Sequence, residues 1–164
     1  SRGVYVAGIG VDIVEIDRIK QILQRTPRFE ERVFTPKERE WAAKRRDPFV
    51  TYAGFFAARE AVLKALGTGF GSGVGFADVW VDHDSKGRPV ARLEGGAREA
   101  AASQGISEVF LSISHTGGLA IANALAADEE SQPPRPRDVK DEKAQIAQQF
   151  KQVRSLLDEL DTQE

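Results

Sequence analysis

Three features of this 164-residue sequence predict an α+β fold, an antiparallel sheet packed on one long buried helix with smaller helices beside it. Apolar runs of strand length, rich in β-branched residues, stand at residues 4–13 and again between residues 109 and 125. Residues 52–66 are apolar almost all round, the composition of a central helix. Turn-forming residues in short connections join the late strands, as antiparallel neighbours require.

Each element has its own signal. Residues 4–13 (VYVAGIGVDI) read as a buried strand ending at Asp12. An amphipathic helix follows, with Ile16, Ile19, Ile22 and Leu23 on one side, and ends near Thr26-Pro27 because the residue before proline avoids the helical region. Thr35-Pro36-Lys37-Glu38 marks a second helix start: Thr35 is the N-cap, Pro36 takes the first position, and Glu38 stands three residues on from the cap. That helix carries Trp41 and runs out at residues 44–48. The buried helix over 52–66 comes next, then a loop in which Gly67, Gly69, Gly71, Gly73 and Gly75 alternate. Residues 76–81 and 89–93 read as strands joined by the hairpin turn Asp84-Ser85-Lys86-Gly87. Residues 97–103 form a short helix stopped by Gly105, and 109–114 and 119–125 are the last strand pair, around His115-Thr116-Gly117-Gly118.

Composition changes after Ala127. Residues 1–127 read as the main domain, 128–138, with Pro133, Pro134 and Pro136, as an extended linker, and 139–164 as an acidic amphipathic helical tail. Within the tail, Ile146, Phe150, Val153, Leu157 and Leu160 recur at alternating spacings of four and three, the pattern of a helical seam that docks on its own domain or on a neighbouring subunit. The formal net charge of −2 hides an asymmetry. Residues 128–164 carry 10 acidic and 6 basic side chains, whereas residues 15–46 carry 10 basic and 6 acidic ones. A helical face bearing Arg18, Arg25, Arg28 and Arg32 is either an ordinary solvated surface or a docking face for an acidic macromolecule. Nucleic acid is disfavoured by the pI of 5.8 and by the lack of aromatic stacking positions among the basic residues.

The sequence has no Cys, which removes disulfides, thiolate zinc sites and cysteine nucleophiles. Its longest apolar runs are too short to cross a bilayer, and the start lacks the pattern of a secretory signal. A first residue of Ser1 points to processing or a tag. A Ser-His-acid triad finds no nucleophile elbow, and the glycine loop lacks the Gly-Lys-Ser/Thr ending of a phosphate-binding loop.

Three places remain for chemistry. Glu60 and Lys64 stand one turn apart on the apolar helix, either as an ion pair on a thin exposed stripe or as working charges. Asp12, at the end of its strand, caps the next helix or holds a cation; two carboxylates and phosphate oxygens suit magnesium, which keeps several waters. His115, in Ser112-Ile113-Ser114-His115-Thr116-Gly117-Gly118, belongs to a hydrogen-bonded turn or to a phosphate site. His83, at a hairpin edge, reads as a solvated loop residue.

Residues 8–18 (GIGVDIVEIDR), 56–69 (FAAREAVLKALGTG) and 112–116 (SISHT) closely resemble, in order and spacing, the signatures of the holo-[acyl-carrier-protein] synthase family, the small bacterial type of 4′-phosphopantetheinyl transferase. The resemblance spans residues 4–126. It implies the phosphopantetheinyl transferase fold and transfer of the 4′-phosphopantetheine group of coenzyme A to a serine of apo-acyl carrier protein, releasing adenosine 3′,5′-bisphosphate, a cytoplasmic step of fatty acid or polyketide synthesis. It implies Asp12 and Glu60 as magnesium ligands and Glu60, Lys64 and His115 as catalytic residues. Lys44, Arg45, Lys64, Gly67, Ser114, His115 and Thr116 are then coenzyme A contacts. The partner of Arg18, Arg25, Arg28 and Arg32 becomes the acidic carrier protein, and a homotrimer with active sites between subunits is expected. The competing expectation is a catalytically weak carrier-protein-binding module regulated by its acidic tail. Two departures stand out: Arg59 replaces the family's usual Lys, and Phe55 stands where a basic residue is common.

Overall fold

The protein is described here by a computed structural model that covers residues 5–69, 73–128 and 139–161, with side chains of the last segment over 143–160. The predicted linker 128–138, apart from Asp128, and Gly71 lie outside the described residues.

Strand β1 (Val6–Glu15) runs past Asp12 and hands over directly to α1 (Ile16–Arg25), whose first amide, Ile16 N–H, donates to Gly118 O at 2.9 Å. Alternate residues of a strand share a face, so Gly8, Gly10, Asp12 and Val14 point to one side and Ile9, Val11 and Ile13 to the other. The strand is therefore buried on one face only: Ile9 is 70%, Val11 50% and Ile13 60% exposed, which corrects the expectation of a fully buried strand. β1 pairs antiparallel with β5 (Leu119–Asp128), which pairs antiparallel with β4 (Ile106–Thr116), giving a three-stranded sheet in the order β1-β5-β4. The strands are longer than their periodicity suggested, and Asp128, expected in the linker, is the last residue of β5.

Helix α4 (Pro48–Leu66) lies on the inner face of this sheet and begins four residues earlier than its apolar run indicates, because Asp47 caps it through Phe49 N–H at 3.0 Å with Pro48 at the first position. Its end is set by Gly67, whose φ of 70° is costly for any residue with a Cβ; Thr68 N–H then reaches back to Leu63 O at 3.0 Å. Small residues face the helix from the sheet: Ala120, Ala122, Ala124 and Ala126 of β5 are buried, and a Cβ on Gly10 would stand 1.8 Å from Ala61 O. Backbone thus approaches backbone where side chains normally intervene.

Two departures concern the remaining elements. The basic stretch after α1 is a separate helix, α2 (Pro27–Val33), with Pro27 opening it; a proline read only as a stop is also a start. The second hairpin is not part of the main sheet: β2 (Val79–His83) and β3 (Pro89–Leu93) form a two-stranded sheet of their own, entered by a 3-10 turn over Phe76–Asp78. Helix α3 (Pro36–Ala43) has the predicted capping box, and α5 (Gly95–Ser103) is the short helix before β4.

Packing at the centre depends on one buried ion pair. Arg59 and Glu38 are both 0% exposed. Arg59 donates through Nη1 to Glu38 Oε2 (2.8 Å) and Phe55 O (3.3 Å), through Nη2 to Glu38 Oε1 and Val33 O (2.7 Å), and through Nε to Phe76 O (3.0 Å). Glu38 also accepts from Thr35 N–H (2.9 Å) and Val81 N–H (3.1 Å). The five donors of a guanidinium are thereby all used, which is the condition under which burying one is tolerated.

The chain divides into two units, Ser1–Gln132 and Pro133–Glu164. The second contains α6 (Val139–Asp161), on which Ile146, Phe150, Val153, Leu157 and Leu160 are between 53% and 72% exposed. No helix among the described residues is long and apolar enough to cross a membrane.

Candidate functional site

The close contact of β1 and α4 builds the site. Ala65 O lies against Gly8 and Ala61 O against Gly10, so two strand residues advance along the sheet for each helical turn. Asp12 is the next residue on that face, level with the preceding helical turn. Side chains of a helix lean toward its N-terminus, and Lys64 does so: its Nζ donates to Asp12 Oδ1 and to Val11 O, both at 3.1 Å. Asp12's side chain is 17% exposed and that of Lys64 54%, so the pair lies at the edge of the β1–α4 contact.

Glu60 completes the cluster. Burial, and next the negative charge of Asp12, raise its carboxyl above the ordinary range, and Lys64 partly opposes them. The expected pairing is altered in one respect: Lys64 bonds Asp12 on β1 instead of Glu60 along the helix. Two carboxylates that repel each other beside one ammonium form a site whose negative charge is under-compensated. Among the described residues no group of three or more His, Cys, Asp or Glu stands together as a metal cage. A two-carboxylate set fits magnesium, which binds through one or two carboxylates plus water and substrate phosphate.

The other predicted residues lie elsewhere on the chain. Residue pairing across the sheet aligns Asp12 with Ala122 and Ala122 with Ile113, so His115 shares the helix-bearing face with Asp12 but stands two strands across and two residues along, about 12 Å away. Ser114 and Thr116 point to the opposite face. Gly67 is the left-handed stop of α4. Arg18 and Arg25 are on α1, Arg28 and Arg32 on α2, all four exposed and outside any ion pair among the described residues, so the basic face is shared by two helices. Lys44 pairs with Glu40 at 3.4 Å, and Arg45 lies over the Trp41 ring at 4.2 Å.

Three groups escaped the sequence. His83 is no solvated loop residue: it ends β2 and stacks on Trp41, ring centres 3.5 Å apart and 5° from parallel. Phe55 is 3% exposed and packs against His83 at 5.9 Å, so it is a core residue. Glu38 was legible as a helix cap, but nothing local signals that the same carboxylate reaches Arg59, 21 residues away.

The geometry has relatives. Residues 8–124 match the profile of the 4′-phosphopantetheinyl transferase superfamily. The chain belongs to that superfamily. It is 46% identical over 123 residues to the holo-[acyl-carrier-protein] synthase of Caldanaerobacter subterraneus subsp. tengcongensis, a match covering 75% of this chain and 96% of that protein. The Clostridium novyi synthase is 49% identical over 122 residues, covering 73% and 86% respectively. Among solved structures, the Plasmodium yoelii synthase superposes with a TM-score of 0.67 at 32% identity, over 77% of this chain and 98% of that one. The Helicobacter pylori synthase in complex with coenzyme A gives 0.64 at 34%, over 72% and 98%. At these identities the chain is an enzyme, a transferase of the holo-[acyl-carrier-protein] synthase type with the fold of those structures. Residues beyond 124, including α6, lie outside the family match.

Proposed function

We propose that this chain transfers the 4′-phosphopantetheine group of coenzyme A to a serine hydroxyl of apo-acyl carrier protein and releases adenosine 3′,5′-bisphosphate. The observation that carries this reading is the Asp12–Lys64–Glu60 cluster, two carboxylates and one ammonium gathered where β1 meets α4. The serine oxygen forms a bond to the β-phosphorus as the bond from that phosphorus to the bisphosphate oxygen breaks. Glu60, or a water it holds, takes the serine proton; burial and the charge of Asp12 raise its pKa and so strengthen it as a base. Lys64 orients Asp12 and supplies positive charge toward phosphate oxygens. Asp12 and Glu60 are the residues that would hold magnesium, which when bound neutralises charge on the transferring phosphoryl group.

The acidic carrier protein docks on Arg18 and Arg25 of α1 and Arg28 and Arg32 of α2, where exposed charges raise the association rate in a salt-dependent way. His115, Ser114, Thr116, Gly67, Lys44 and Arg45 contact coenzyme A. They are spread over both faces of the sheet, the end of α4 and the turn after α3, and a homotrimer brings such separated groups to one site between subunits. The outer sheet face supports that assembly: Ile9, Val11, Ile13 and Phe110 are each at least 50% exposed, an apolar patch of the kind subunits cover. The cytoplasm, where coenzyme A and carrier protein meet, is the proposed location.

Incubation of the full chain with apo-acyl carrier protein, coenzyme A and magnesium should add one phosphopantetheine mass to the carrier. Glu60→Gln should abolish the gain with the thermal midpoint preserved. A carrier that gains no mass with the unaltered chain refutes the transferase reading, and full magnesium-dependent activity in Glu60→Gln refutes the role of that carboxylate.

A further inference from the structure

Ile146, Phe150, Val153, Leu157 and Leu160 of α6, with Leu156 beside them, are each more than half exposed. A helix in water draws most of its stability from packing its apolar face, so an uncovered seam of this length calls for a partner. The spacing of four, three, four and three labels its positions: Ile146, Val153 and Leu160 take the d sites of a heptad, Phe150 and Leu157 the a sites. Lys151, Gln152, Ser155, Asp158 and Glu159 fill the outer b, c and f sites over the same stretch, and all are polar.

The partner that fits is another α6. The helix lies outside the family match, so the shared fold carries no groove made for it, whereas a second copy of the seam comes with every chain. A 3.5-residue repeat is also self-complementary, because slight supercoiling keeps the a and d residues facing an identical seam, each seated among four residues of its neighbour. The area suffices. Six side chains exposing about 100 Å² each make about 600 Å² per helix, and three such faces together bury about 1,800 Å², the size of a specific interface.

Branching sets the number of strands. β-Branched Ile146 and Val153 at d, against Phe150 and Leu157 at a, is the distribution that favours three or four strands over two. Lys143, the one polar residue among the a sites 143, 150 and 157, selects the register, since a shift along the seam would set it against apolar neighbours. We propose that α6 packs on the α6 helices of two further copies as a parallel three-stranded coiled coil, helices related by a threefold axis being parallel by symmetry. The count of three rests on the homotrimer proposed above; the association of the seams does not.

The chain has no cysteine, so single substitutions report the contact in the full chain. A disulfide needs Cα atoms within about 7 Å, so under oxidised glutathione Ile146→Cys, at a d site, should link chains more than about tenfold faster than Gln148→Cys on the outer face. Sedimentation equilibrium of the full chain should give a trimer whose half-dissociation concentration rises more than about tenfold in Leu157→Glu, which puts a charge into the seam of every copy, and stays within about twofold in Gln152→Glu, which adds the same charge outside it. Equal disulfide rates, or an unchanged half-dissociation concentration in Leu157→Glu, overturns the proposal, and a dimer or tetramer overturns the strand count. A urea midpoint that falls in Leu157→Glu without loss of association places the seam on its own domain and also overturns it. A chain without residues 133–164 separates this inference from the homotrimer of the domain: if it is monomeric the domain trimer fails and the seam stands, and if it stays trimeric while the disulfide rates are equal the seam fails and the domain trimer stands.

Discussion

Gly10→Ala isolates the contact on which the site depends. The added Cβ would stand 1.8 Å from Ala61 O and 2.8 Å from Ala65 N, whereas a carbon and a carbonyl oxygen normally settle at about 3.3 Å. Both neighbours are backbone, so no rotamer change relieves the clash, and α4 must recede from β1 by about 1.5 Å. Overpacking of this kind destabilises by about 1–3 kcal/mol, and the upper end applies because helix and strand move as rigid elements. Lys64, and Glu60 with it, is carried away from Asp12 by the same displacement, and a misplacement of about 1 Å lowers rate by about a hundredfold. Urea denaturation and mass-spectrometric transfer assays measure the two effects. Gly54→Ala should be milder, because its Cβ meets the movable Ile113 Cγ2 at 2.9 Å, and Gly69→Ala neutral, with nothing within 4 Å. A Gly10→Ala protein with unchanged urea midpoint and transfer rate would refute the argument that backbone proximity builds the site.

The remaining predictions concern other parts of the chain. Glu38→Gln or Arg59→Leu leaves its partner charged and buried and should cost about 3–5 kcal/mol in urea unfolding, whereas a cost below about 1 kcal/mol would mean that the pair is replaceable. Because the folded state lowers the His83 pKa, the unfolded chain binds more protons; its share of stability is complete above the unfolded value of 6.5 and is lost as pH falls through the folded one. His83→Gln should therefore flatten the fall in urea midpoint below pH 6.5, and an unchanged slope would show that the histidine titrates alike in both states. Removing residues 133–164, the second unit and outside the family match, should leave the transfer rate within about twofold, and a tenfold change in either direction would assign the tail a part in access to the site.

Much of the fold was legible because local signals agreed with tertiary demands. The Thr35-Glu38 box, the apolar run of α4 and the hairpin turn before β3 each encode their element within a few residues. What escaped was non-local. Pro27 carries the same local signal whether it ends one helix or opens another, and only packing decided for both. Nothing in the alternation of β1 says which face is covered, so Ile9, Val11 and Ile13 read as core although the glycines between them face the helix. The site divided in the same way. Asp12, Glu60 and Lys64 announced themselves as charges amid apolar residues, but the Lys64–Asp12 bond spans 52 positions and has no local signature. His83 looked solvated because a hairpin edge usually is; Trp41, on another element, changed that.

The Arg59–Glu38 pair has a consequence for motion. It ties the end of α2, the start of α3, the middle of α4, β2 and the turn at Phe76 to one pair of charges. None of these segments can open alone without exposing or stranding a charge, so they should breathe as a single cooperative unit, their amides exchanging with solvent at one common rate. A lysine at this position would have three donors for the five acceptors that Arg59 satisfies, and would leave that unit more loosely joined.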